Sequence, residues 1–112
     1  MDERQALWVF AALSQETRLR IVRLLVQAGP AGIAAGSIAE TVEVSASNVS
    51  FHLKELERAG IVSARREARS IVYSADFDAL RGLLQFLMHD CCAGRPEICG
   101  GIPAPACCEP AT

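Results

Sequence analysis

Val44-Ser45-Ala46-Ser47-Asn48-Val49-Ser50-Phe51-His52-Leu53-Lys54-Glu55-Leu56-Glu57-Arg58-Ala59-Gly60 is the stretch whose reading decides the fold. Ser45 has the short acceptor side chain of a helix N-cap, and Gly60 is suited to the left-handed position that ends a helix. Between them Val49, Leu53 and Leu56 recur at helical spacing, which predicts a helix over about 46–59 with those three facing a core. The other face carries Ala46, Ser47, Asn48, Ser50, Phe51, Lys54 and Arg58. Small hydroxyl and amide side chains near the helix start allow close approach to base edges, and the cations further along suit phosphates. The amides of the first turn favour an anion as well. His52 falls between the two faces, where a hydrogen-bonded structural role is expected rather than a ligand role.

Immediately upstream, Ser37 is placed to cap a short helix over Ile38–Val42, and Glu43-Val44-Ser45 turns the chain. Two short helices joined by a tight turn make a helix-turn-helix unit. Downstream, Ile61 to Arg66 and Ser70 to Ser74 are β-rich runs bridged by the polar Glu67-Ala68-Arg69, a predicted hairpin. Its tip gathers Arg65, Arg66 and Arg69. A basic hairpin alone is often just a solvated surface, but beside a helix-turn-helix it points to backbone or groove contacts with DNA.

Further out, residues 4–13 place apolar side chains on a helical face without Pro or Gly. Ser14 is then expected to cap a second helix over Thr17–Gln27, ending before Gly29-Pro30. Residues 28–36 are small and glycine-rich, hence a loop. A last helix is predicted from near Asp76 to about Asp90, with Phe77, Leu80, Leu83, Leu84 and Leu87 on one face. The whole is a mainly α chain with a β-hairpin (α+β), over residues 1–92. Residues 93–112, rich in Gly, Pro and Cys, form a second region, a tail expected to be flexible without a ligand.

The chain has 112 residues and a net charge of −2, with 51 % apolar residues. That suits one globular domain that would gain from dimerisation. No apolar run reaches the roughly 20 residues of a membrane span, and no secretory signal follows Met1-Asp2-Glu3-Arg4. A cytoplasmic location without membrane contact is therefore expected. There the cysteines stay reduced. All five follow residue 90: Cys91-Cys92, Cys99 and Cys107-Cys108. Adjacent Cα atoms lie about 3.8 Å apart, below the roughly 4.4–6.8 Å of a relaxed disulfide. Neighbouring thiolates suit a soft ion instead.

Taken together, these segments resemble the ArsR/SmtB metal-responsive repressors. Leu13-Ser14-Gln15-Glu16-Thr17-Arg18-Leu19-Arg20-Ile21 is similar to their second helix, Val44 to Leu56 to their recognition helix, and Ala59-Gly60-Ile61-Val62 with the Arg-rich hairpin to their wing. The resemblance covers residues from about 6 to 87. It implies a winged helix-turn-helix homodimer that sits on double-stranded operator DNA without a cofactor and leaves when an inducer binds. A dimer with two reading heads implies an inverted-repeat operator. Arsenic sensors of the best-known type carry Cys-Val-Cys on the helix that here begins near Ser37, and this chain has no cysteine there. Zinc and nickel sensors place Asp and His along the last helix; here His89 and Asp90 are neighbours in sequence, and the chain has no partner histidine beyond His52.

What remains is Cys91, Cys92 and Cys99, with Gly94 and Pro96 between them letting the chain fold back. Three thiolates on one side of an ion suit As(III) or Sb(III), whereas zinc asks for four tetrahedral ligands. Methylated As(III) needs only two thiols. Cys107 and Cys108 are an auxiliary pair or a dispensable one. Two alternatives stand beside this reading. The same repressor could sense Zn, Cd or thiol oxidation, since Arg95 lies near the pair. A thiol-dependent arsenate-reducing enzyme is the other, disfavoured because a Gly/Pro-rich tail does not hold catalytic geometry.

Overall fold

A computed structural model describes residues 1–88. Five helices and three strands run in the order α1 (Glu3–Leu13), α2 (Glu16–Ala28), β1 (Ile33–Ala34), α3 (Ala35–Val42), α4 (Ala46–Ala59), β2 (Val62–Glu67), β3 (Ser70–Ala75) and α5 (Phe77–Leu87). The strands form one antiparallel sheet in the order β1-β3-β2.

The helix-turn-helix follows from its caps. Ser45 Oγ accepts from the Asn48 amide at 3.3 Å and starts α4. Gly60, at φ 88°, ends it, and the Ile61 amide closes the turn by donating to the Leu56 carbonyl at 3.3 Å. Between α3 and α4 the chain reverses through Glu43 at φ 57°, while the Val44 amide donates to the Ala39 carbonyl at 3.2 Å. Val49, Leu53, Leu56 and Ala59 of α4 are buried against Ile38 and Ala39 of α3, Ile21, Val22 and Leu25 of α2, and Ala6, Val9 and Ala12 of α1. Residues spaced at three and four positions along each helix thus meet in one core.

Three boundaries depart from the sequence expectations. Gln15, not Ser14, caps α2, its side-chain oxygen accepting from the Arg18 amide at 2.9 Å. Ser14 is instead the C-cap of α1, in helical geometry, and donates its hydroxyl to the Ala11 carbonyl at 2.8 Å. Nor does Ser37 cap α3, which begins three residues earlier than expected, at Ala35, without a side-chain cap. Within the expected loop over 28–36, Ile33 and Ala34 pair with Tyr73 and Val72 as a third strand. Two residues with small or branched side chains give no local sign of a strand; β3 supplies the partner that makes one.

The hairpin is tighter than expected. Glu67 pairs with Ser70, leaving only Ala68-Arg69 as the turn, with Ala68 at φ 54°. The last helix is described to Leu87, with Met88 as its cap, so the expected extension over His89 and Asp90 lies outside the described residues. So do all five cysteines and the 92/93 boundary. No helix among the described residues is long and apolar enough to cross a membrane.

Candidate nucleic-acid interface

Helix α4 turns its polar face fully outward. Ala46, Ser47, Asn48, Ser50, Phe51, Lys54 and Arg58 are all exposed, while Val49, Leu53 and Leu56 fill the core. The expected division of the helix into a packing face and a reading face is therefore present. Phe51 is the unusual member: it is 56 % exposed on an otherwise polar surface. Its ring has two neighbours, with the Arg18 guanidinium carbon 5.7 Å from the centroid and the His52 ring at 5.5 Å in an edge-on arrangement. Such a fixed apolar ring is suited to contact a thymine methyl in the major groove.

Arg18 is the residue beside this face that sequence reading passed over. It interleaves with Arg20 and Arg23 on α2, and only the packing of α2 on α4 shows which of the three meets the reading helix. Arg20 is spent on Glu16 of its own helix at 2.6 Å. Arg18 crosses to α4, where its Nε donates to His52 Nδ1 at 3.2 Å. That bond requires an unprotonated Nδ1. Desolvation by burial, followed by the nearby Arg18 charge, holds the His52 pKa below its ordinary value of 6.5. His52 is thus the hydrogen-bonded structural histidine expected, and it orients Arg18 rather than a ligand.

The cations divide into two groups. Lys54, Arg66 and Arg69 are exposed and carry no hydrogen bond or ion pair among the described residues. Arg58 makes one loose contact, 3.6 Å from Glu55. These four are available to an anionic partner. Arg65 differs. It sits at mid-strand opposite Val72 rather than at the hairpin tip. Its Nε donates to Glu67 Oε2, one terminal nitrogen to the Pro30 carbonyl at 3.3 Å, and the other to the Ala31 carbonyl.

Among the described residues no group of three His, Cys, Asp or Glu side chains is placed to hold a metal. The thiols expected to do so, Cys91, Cys92 and Cys99 with the auxiliary Cys107 and Cys108, lie outside the described residues.

Comparison with known proteins accords with this geometry. A helix-turn-helix domain family matches residues 13–64. The transcriptional repressor SdpR of Bacillus subtilis is 33 % identical over 81 residues, covering 72 % of this chain and 87 % of SdpR. The cadmium resistance regulatory protein CadC homolog of Staphylococcus aureus is 32 % identical over 77 residues, covering 69 % of this chain and 62 % of that protein. Among solved structures, an ArsR-like transcriptional regulator from a Rhodococcus species superposes with a TM-score of 0.70 at 30 % identity, covering 87 % of this chain and 89 % of that one. A homodimeric winged helix-turn-helix DNA-binding domain from Mycobacterium bovis, described as a possible ArsR-family regulator, superposes with a TM-score of 0.61 at 31 % identity, covering 78 % and 81 %. These relatives are regulators of transcription rather than enzymes. A reading helix with a polar outer face, an arginine-bearing wing and the matches across both place this chain in the ArsR family of winged helix-turn-helix transcriptional regulators.

Proposed function

We propose that this regulator is a homodimeric, cytoplasmic repressor that releases an inverted-repeat operator when As(III), methylated As(III) or Sb(III) binds Cys91, Cys92 and Cys99. The observation that carries the reading is the position of the thiols. None occurs in the first ninety residues, and the first pair begins four residues after the end of α5. On its own protomer α5 buries only Leu83 fully and leaves Leu84, Phe86 and Leu87 exposed. Leu7, Trp8 and Phe10 of α1 are exposed as well. Apolar helix faces of this kind are what a second copy covers in a twofold dimer. The spacing of the two reading helices then depends on how α5 packs against its mate, and an inducer seized just beyond α5 acts on that packing.

The donor set fits a trivalent metalloid. Arsenous acid exchanges its three hydroxyls for thiolate sulfurs, each thiol proton leaving with a hydroxyl as water, so no oxidant or reductant is needed. A hundredfold loss of operator occupancy requires about 2.7 kcal/mol of coupling between the two sites, and DNA weakens inducer binding by the same factor.

A second reading keeps the repressor and replaces the metalloid with cadmium or zinc; similarity to the CadC homolog favours it. One assay separates them. The dimer on its operator is titrated with arsenite, cadmium, zinc and peroxide, using the wild type and the Cys91→Ser, Cys92→Ser and Cys99→Ser variants. Arsenite is expected to release the wild type, and each variant should stay bound at that concentration. If Cys91→Ser or Cys92→Ser leaves DNA at the wild-type arsenite concentration, the assignment is wrong. Release by cadmium or zinc alone selects the second reading.

A further inference from the structure

We infer that Arg65 is a positioning residue for the wing and not one of its DNA contacts. The sheet register sets this up. Residues paired across β2 and β3 share a face. Arg65 therefore lies beside Val72, and Glu67, two positions on, lies beside Ser70 on the same face. Arg66 belongs to the opposite face with Ile71. On the far side of β3, Ala34 of β1 also pairs with Val72. The Arg65 side chain thus spans the central strand over Val72 to reach the carbonyls of Pro30 and Ala31, just before β1. With Glu67 on Nε, each of its three nitrogens is engaged and its charge is matched.

Gly32 makes the approach possible. It adopts φ 76°, and a Cβ there would come 2.6 Å from the Tyr73 carbonyl oxygen and 2.9 Å from a Val72 methyl. The loop lies directly on β3 with its carbonyls turned to the guanidinium. The fork holds all three strands at one level, which fixes the direction in which the rest of β2 and the turn project. Beyond it stand Arg66 and Arg69, exposed and unpaired among the described residues. A planar guanidinium spreads its donors over three nitrogens in a fixed fork, whereas an ammonium offers its three donors from a single point.

The test rests on the DNA-binding function of the family and separates positioning from contact by salt. Affinity of the full-length protein for its operator duplex is measured over a range of salt for the wild type, R65A, R65K, R66A and R69A. Removing one phosphate contact lowers the slope of log K against log salt by about 0.9, hence about 1.8 per dimer. R66A and R69A are expected to show that reduction. R65A and R65K should instead bind roughly threefold to tenfold more weakly with the wild-type slope. Their wing amides at 66–70 should exchange hydrogen faster, while Tm stays within a few degrees of the wild type.

A reduced slope in R65A that R65K restores would make Arg65 a phosphate contact and overturn the inference. Wild-type affinity, slope and amide exchange in both Arg65 variants would overturn it too. A wild-type protein with no salt-dependent duplex binding would be a different failure, that of the DNA-binding function itself. R65K retains the charge and most of the side chain, so it keeps the test usable if R65A does not fold.

Discussion

Replacing Leu84 and Leu87 together by alanine tests whether α5 forms the subunit contact on which release depends. Within one protomer these side chains do little packing: Leu84 is 41 % exposed and Leu87 50 %. Together they leave roughly nine-tenths of one leucine's surface in water. A Leu→Ala change removes about three methyl or methylene groups, each worth about 0.8 kcal/mol when buried. Covering the exposed share in a dimer therefore yields about 2 kcal/mol per protomer. In a twofold interface the same patch is used twice, so the double variant should lose about 4 kcal/mol of association. At about 1.4 kcal/mol per tenfold, the dimer Kd rises about a thousandfold. Sedimentation equilibrium over nanomolar to micromolar protein measures this directly. Alanine preserves helix propensity, so circular dichroism should show an intact fold. Operator affinity should fall with the dimer, because the two reading heads no longer act as one ligand. A dimer Kd within about threefold of the wild type would refute the reasoning and move the subunit contact to another face.

Two further outcomes follow from the reading helix. Ser45→Ala removes the acceptor for the Asn48 amide and should cost about 1 kcal/mol in urea unfolding, with weaker operator binding because the first turn of α4 carries Ser47, Asn48 and Ser50. His52 titrates below 6.5 in the folded chain, so the unfolded chain binds its proton first as pH falls. Its contribution is present above pH 6.5 and is lost on acidification from 6.5 toward the folded pKa. His52→Gln should flatten that part of the stability curve in denaturant melts from about pH 5 to 7.5; an unchanged slope would show that burial and the Arg18 charge do not hold the ring neutral.

Local chemistry carried the helix-turn-helix. Ser45, Gly60 and the spacing of Val49, Leu53 and Leu56 specify α4 without reference to anything distant, because a cap and a helical period act within one helix. The hairpin was legible for the same reason, through short-range pairing of two β-rich runs. The outward residues of α4 were also readable, since a helix with one packing face presents the other to solvent.

What depends on partners far along the chain was not legible. Ile33 and Ala34 become a strand only because β3 lies beside them. Arg18 is singled out from Arg20 and Arg23 only by the packing of α2 against α4. Arg65 looks like its neighbours Arg66 and Arg69 as a letter in the sequence. The register of β2 on β3 turns it toward Pro30, 35 positions away. Sequence by itself determined the five helices, the hairpin, the outward face of α4 and the grouping of the thiols after residue 90. Tertiary structure alone decided that Arg18 and Arg65 are committed, because their partners are groups that only folding brings within hydrogen-bond reach.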